Sequence, residues 1–283
     1  MVFLNRKIPE LLFKPKIFNL EIKRVVAARF LGVLINENLT WKNHILALKA
    51  KMSRYVGILF KLKKLVPLSV RKNIFHSFVQ SHLHYCSLVW GLGPKSSIEP
   101  LFTEQKKAVR ALMPGFNLNY YNNGNNPCHT KSFFTELKIL TVQSLILCNI
   151  LKFMHKYHHW RQHMPTTVAK MISSDAPLPG HSLENCNRWL HSHSTGKFRN
   201  VLSFKGPLFY LKYMPEIIEK YCSDVENSHV GNSFKNKTKS VMLGIQSSGD
   251  NEEWVGQNFP LYCVPGLPRD HRENIDIVSY IDQ

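Results

Sequence analysis

A short apolar run followed by a long basic amphipathic stretch is the feature that most constrains how this chain folds. Residues Phe30–Asn36 read FLGVLIN, a run that favours a short β-strand. From Trp41 onward, apolar residues recur every three or four positions, which predicts a helix of about six turns with one buried face. These residues are Trp41, Ile45, Leu48, Met52, Val56, Leu59 and Leu62. The sequence therefore predicts a strand, a turn and a basic helix, in that order.

Two more helices are expected after the first. Pro67 ends the first helix and opens a second that runs towards Trp90, because proline suits a helix start and not its interior. A third helix follows the turn at Gly91–Pro94 and has one apolar side. That side contains Ile98, Leu101, Phe102, Gln105, Ala108, Val109 and Leu112. The three helices form a basic helical unit.

The segment before the first helix alternates β-like pieces with prolines and charges, which predicts a small antiparallel patch. The pieces are Phe18–Ile22, Val25–Val26 and Phe30–Ile35. The expected fold class is mainly α with this small N-terminal β patch. The expected domains are a β patch (1–36), a basic helical domain (37–115), a helical extension (116–222) and an acidic, loosely ordered tail (223–283).

Three features define the second half of the chain. Asn117–Pro127 is polar and turn-prone and predicts a boundary loop. Thr141 is a suitable N-cap for a strongly apolar, buried helix that ends near Tyr157. Residues 173–205 show little periodicity, and a short helix is expected around Pro215–Tyr221.

The positive charge is concentrated in the first part of the chain. Residues 1–110 hold 20 Lys and Arg against 5 Asp and Glu, whereas residues 111–283 hold 17 against 14. Such a segment suits a polyanionic partner, although a solvated face of an ordinary helix pair is the open alternative. The candidate nucleic-acid contacts, with no acid among them, are Lys42, Lys49, Lys51, Arg54, Lys61, Lys63, Lys64, Arg71 and Lys72.

Several other function classes lack their sequence signals. No Gly-x-Ser-x-Gly elbow or phosphate-cradling GxxxxGK[ST] loop is present. Two histidine-rich sets lack the paired cysteines of zinc sites, so no metal ligand is assigned. The sets are His155, His158, His159 and His163, and His181, Cys186, His191 and His193. No apolar run suits a bilayer span or signal peptide, so we expect an intracellular, non-secreted protein with reduced cysteines, in the nucleus or cytoplasm.

Taken in order, these pieces resemble the part of a non-LTR retrotransposon reverse transcriptase (LINE, jockey- or CR1-like) that follows the catalytic motif. The likeness spans roughly residues 1–220. It is carried first by Met1-Val2-Phe3, Phe18–Ile22, Phe30–Val33, Trp41, His44, Lys51, Tyr85, Trp90-Gly91 and Gln105–Arg110. It is carried further by His129–Phe134, Leu137–Leu140 and Gly206-Pro207. Two positions depart from the family, which usually has an aspartate at Asn36 and an aromatic-Asn pair where Phe209-Tyr210-Leu211 stands.

The resemblance implies a palm edge, a helical thumb and a helical extension, without the catalytic half. The parent activity is RNA-directed DNA synthesis with Mg²⁺, in which paired carboxylates hold two metal ions. Asp175 is the first aspartate of this chain, so no catalytic, cofactor or metal residue is assigned and the chain as it stands is not expected to be an enzyme. The expected remaining function is to bind the backbone of RNA, DNA or an RNA–DNA hybrid. The alternatives are a basic RNA- or DNA-binding module unrelated to replication and a non-functional relic.

Overall fold

The computed structural model describes residues 16–21, 25–113, 130–170, 172, 202–203, 205–210, 213 and 230–248. The chain forms two compact units, Met1–Phe133 (unit 1) and Phe134–Gln283 (unit 2). The described residues are mostly helical with a small N-terminal β patch, as the sequence predicts. The predicted loop at 117–127, residues 173–201 of the segment 173–205 with little periodicity, and the predicted helix at 215–221 lie outside the described residues.

The β patch consists of two antiparallel hairpins. β1 (Lys16–Ile17) pairs with β2 (Leu20–Glu21), and β3 (Ala27–Phe30) pairs with β4 (Val33–Asn36). Each hairpin has a two-residue turn whose central residues both have positive φ, the requirement of a type I′ turn.

The prediction of one strand over Phe30–Ile35 is wrong. Leu31 (φ 45°) and Gly32 (φ 81°) form a turn that divides this run between β3 and β4. Glycine adopts positive φ without a steric penalty, whereas leucine does so only under constraint. Tyr85 supplies part of that constraint, because its hydroxyl donates a hydrogen bond to the carbonyl of Leu31 at 2.5 Å.

A short loop then leads into α1 (Lys42–Leu62). The Asn36 side chain stabilises this loop, since its oxygen accepts from the Thr40 backbone N–H at 2.9 Å and its amide donates to Thr40 Oγ1 at 2.6 Å. Asn36 therefore stabilises the loop through two local hydrogen bonds. Trp41 precedes the helix with φ 59° and is half-buried.

The second predicted helix is present but interrupted. It consists of α2 (Leu68–Ile74), a π-helical segment (Phe75–Gln80), α3 (Ser81–His84) and α4 (Ser87–Trp90). Cys86, with φ 51°, separates α3 from α4. The third helix, α5 (Lys95–Leu112), buries most of its predicted apolar side.

The core of unit 1 forms where α1 packs against α5, β4 and the π segment. Trp90 is fully buried there, and its Nε1 donates to the carbonyl of Tyr85 at 2.9 Å. An indole of this size buries much apolar surface and needs a partner for its N–H, and Tyr85 satisfies that requirement.

The boundary between the units falls within α6 (Thr130–Leu137), which α7 (Val142–Trp160) of unit 2 follows after a tight helix end. Lys138 takes φ 55°, while the Ile139 N–H bonds the Phe134 carbonyl, as in a Schellman motif. Thr141 caps α7 as predicted, because its Oγ1 accepts from the Ser144 N–H at 3.2 Å.

Helical residues 205–210 are all buried. A Cβ added to Gly206 would lie 2.7 Å from Met154 Sδ, so glycine allows this approach to α7 without a shift of the Met154 side chain. Tyr210 Oη lies 3.2 Å from His155 Nδ1, a hydrogen-bond distance between buried side chains. Most of the apolar side chains of α7 are buried, as the sequence predicts.

The tail (223–283) is predicted to be mostly loosely ordered, and within it Val230–Ser248 form a helix, α9, which follows α8 (Thr166–Ala169) in chain order and packs against α7. Gln246 anchors α9 because its Oε1 accepts from the Thr141 N–H at 3.0 Å and its Nε2 donates to the Ile139 carbonyl at 3.2 Å. These bonds join positions more than a hundred residues apart in sequence.

Within the described ranges, no single helix is both long enough and apolar enough to cross a membrane, although α6 and residues 142–158 pass that test as a bent pair.

Lys205 supplies a stability test for unit 2. It is 4% exposed, and burial lowers its pKa from 10.5 to about 8. The folded state therefore disfavours the charged lysine, and Lys205→Met should raise the free energy of unfolding at pH 7 by up to about 3 kcal/mol. This advantage should shrink as the pH rises from about 8 towards 10.5, since the folded parent then loses the proton.

Urea unfolding of the parent and the variant at pH 7 and pH 10 measures this difference. The matched control is Lys156→Met, which removes an exposed lysine of α7. A gain for Lys205→Met that is the same at both pH values, or a loss at pH 7, contradicts the prediction.

Candidate nucleic-acid interface

α1 is buried along one side only. His44, Ile45, Leu48, Met52, Val56 and Leu59 are its buried residues. Their three- and four-residue spacing places them on the side that faces the core, so the rest of the helix circumference is solvent-accessible. That accessible part carries most of the predicted nucleic-acid contacts.

The nine predicted contacts fall into three classes of exposure. Five side chains are exposed, namely Lys42, Lys51, Arg54, Lys61 and Lys64. Three are half-buried, namely Lys49, Lys63 and Lys72. Lys42 and Lys49 are seven residues apart on α1, as are Arg54 and Lys61, so each pair lies along one line of the helix. We name the five exposed residues the cationic face.

Arg71 must be removed from the predicted contacts. It is 5% exposed, and its Nη1 donates to the carbonyl of Ala111 at 3.2 Å, which ties α2 to the end of α5. A guanidinium suits this role because it offers several donors on a long apolar stem. The sequence shows that Arg71 is a cation, but it does not show that the side chain is buried.

Arg71 nevertheless affects the interface electrostatically. Burial lowers the pKa of Lys63, and the positive charge of Arg71 lowers it further. The corner between α1 and α2 therefore holds cations that repel one another. A bound anion would relieve this repulsion.

The sequence segment that carries the cationic face contains no acidic residue. No Asp or Glu occurs from Asn38 to Ile98. The next acids lie on α5, where Glu104 binds Lys107 at 2.8 Å and Glu99 lies 4.0 Å from Lys106. Lys106 and Lys107 of α5 are thus locally compensated, unlike the lysines of the cationic face.

A cavity of about 310 Å³ lies between the β3–β4 hairpin, α1 and α3. Its lining includes the basic side chains of Arg29, Lys51 and His82, together with Tyr85. Arg29 and His82 were not predicted from the sequence, because a cavity between a hairpin and two helices leaves no local periodic signal. Lys51 belongs both to this lining and to the cationic face.

His44 also borders the cavity and holds β4 against α1. Its Nδ1 accepts a hydrogen bond from the backbone N–H of Leu34 at 3.3 Å, so this nitrogen carries no proton. Its ring lies 6.0 Å from that of Trp90. Burial, followed by the charge of Lys51, lowers the pKa of His44 below 6.5. These contacts hold the β3–β4 hairpin against α1.

No metal site is assigned. Among the residues that the structure describes, no three His, Cys, Asp or Glu side chains are grouped closely enough to hold a metal ion. The histidine set from His181 to His193 lies outside those residues, as does Asp175.

In comparisons with known proteins, no family model, curated protein or solved structure matches this chain.

The pKa of His44 predicts acid sensitivity of unit 1. Because the folded pKa lies below the unfolded value of 6.5, the stabilisation is complete above pH 6.5 and is lost as the pH falls through the folded pKa. His44→Gln keeps an acceptor without a titrating group. Between pH 7.5 and pH 5, it should lose less unfolding free energy than the parent, because it has no group that gains a proton on unfolding.

Chemical unfolding at the two pH values measures this difference, with His76→Gln on the exposed surface as the control. Equal acid sensitivity of the parent and His44→Gln would show that His44 does not carry the effect.

Proposed function

We propose that this chain is the C-terminal part of a non-LTR retrotransposon reverse transcriptase, and that unit 1 binds nucleic acid through its phosphate backbone. The cationic face carries this proposal: five exposed cations lie within a stretch free of acids. Solvated helix surfaces normally carry both positive and negative charges, so a surface with only positive charges suits a polyanion.

Binding of this kind follows from simple electrostatics. Each lysine or arginine that neutralises a phosphate releases condensed counterions, so affinity falls steeply with salt and depends little on sequence. The repulsion between Lys63 and Arg71 adds to the effect, because a phosphate near this corner stabilises both charges.

The β hairpins give a second support. Ile17, Leu20, Phe30 and Leu31 are between 57% and 75% exposed, and Phe18 is 97% exposed. Exposed apolar groups of this density mark interaction surfaces. In the proposed parent enzyme they would pack against the remainder of the palm.

The proposal includes no polymerase chemistry in this chain. Nucleotidyl transfer needs carboxylates that bridge two metal ions, and residues 1–174 contain no aspartate. The catalytic carboxylates and Mg²⁺ would belong to the parent enzyme. A binding module unrelated to replication shares the same surface chemistry, whereas a relic need not bind at all.

Salt dependence tests the proposal. For the purified chain, the affinity for an RNA–DNA hybrid should fall linearly on a log–log plot against salt. Replacing Arg54, Lys61 and Lys64 with Gln should reduce the magnitude of that slope by about two to three, since each lost phosphate contact contributes about 0.7–0.9. Filter binding between low and moderate salt gives both slopes.

The matched control is the double variant Lys106→Gln and Lys107→Gln, which removes two lysines of α5 that already have acidic partners. It should leave the slope unchanged. Absent or salt-insensitive binding, or equal slopes for the parent and the triple variant, contradicts the proposal.

A further inference from the structure

Three aromatic rings meet at the surface between α1 and the helical segment 75–84. The Tyr55 and Phe78 rings are stacked, with centroids 5.1 Å apart and planes 28° apart. The His82 ring lies 5.5 Å from that of Tyr55. Phe78 is 46% exposed, although large aromatic side chains usually lie in the core. We name these three residues the aromatic stack.

The backbone geometry presents Phe78 to solvent. Phe78 lies in the π segment, whose other apolar residues Phe75 and Val79 are buried. π turns are rare in proteins, and those that do occur are frequently found at functional sites. His82 Nδ1 lies 2.7 Å from the Phe78 carbonyl, so an N–H on this atom donates to that carbonyl and fixes the imidazole beside the other rings.

Cations flank the aromatic stack. Lys51 lies one helical turn before Tyr55 and Arg54 is its neighbour in sequence, and both are exposed. Lys51 and His82 also line the 310 Å³ cavity, so the stack and the cavity form one continuous surface. No acid lies within this part of the sequence. Aromatic rings can stack on the bases of a nucleic acid strand, and the neighbouring cations can bind its phosphates.

We propose that the aromatic stack binds unpaired bases of a single-stranded segment, while Lys51 and Arg54 hold its phosphates. This inference rests on the proposed function and narrows its ligand class. A duplex hides its base faces, whereas a single strand offers them to aromatic side chains. The positive surroundings favour this occupant over an uncharged apolar protein surface.

The test compares a single-stranded oligonucleotide with an abasic strand of the same length, because the two differ in their bases but not in their phosphates. The full chain should bind the base-bearing strand about tenfold more tightly at constant salt. Phe78→Leu keeps an apolar side chain without a ring and should reduce this ratio to about twofold or less, with unchanged affinity for the abasic strand. Phe78→Trp should keep the ratio.

Trp160→Leu is the matched control, because Trp160 is a 39% exposed aromatic residue of α7 outside the aromatic stack. It should leave the ratio unchanged. If the parent binds both strands equally with normal salt dependence, the stacking inference is wrong and backbone binding stands. If neither strand nor the hybrid binds, the proposed function itself fails.

Two further outcomes overturn the stacking inference. Phe78→Leu could weaken binding of both strands equally, which would show a structural role. It could instead change the sedimentation behaviour without changing the ratio, which would show that a second copy of the chain occupies the surface.

Discussion

The one-sided burial of α1 is the constraint on which the organisation of unit 1 depends. Residues such as Met52 and Leu59 are fully buried, and a side chain of this kind contributes about 1.5–3 kcal/mol through burial. Packing against α5, β4 and the π segment uses that side of the helix completely. The cations are consequently confined to the solvent side, where no sequence-local acid compensates them.

The positive potential of this surface extends into the fold. Lys51 contributes to the lowered pKa of His44, and Arg71 contributes to that of Lys63, with burial as the larger cause in both cases. Unit 1 thus contains positive charges that repel one another, and a bound polyanion would reduce this repulsion. The neutral His44 in turn accepts a hydrogen bond from β4, so the same charges affect how the hairpin is held.

Periodic features were predictable from the sequence, and features that depend on distant contacts were not. The apolar spacing predicts α1 and α5, because burial of one helix face leaves a regular pattern, and the strongly apolar segment after the N-cap Thr141 predicts α7. The turn at Leu31–Gly32 escaped prediction because leucine rarely takes positive φ, and Tyr85 stabilises it from 54 residues away. Arg71 resembles a surface cation in sequence, but its hydrogen-bond acceptor lies at the end of α5. The α9 segment resembles a polar tail in sequence, but Gln246 bonds the residue that caps α7. The aromatic stack likewise arises from two helices whose pairing no local pattern encodes.

Lysine footprinting tests the central claim most directly, because it reports where nucleic acid contacts the intact chain. Amine acetylation followed by mass spectrometry, with and without an RNA–DNA hybrid, compares exposed lysines of the same molecule. The account predicts protection of Lys42, Lys51, Lys61 and Lys64, with unchanged reactivity at Lys107 and Lys156. Protection spread evenly over all lysines, or concentrated on Lys138, Lys156 and Lys170 of unit 2, would contradict it.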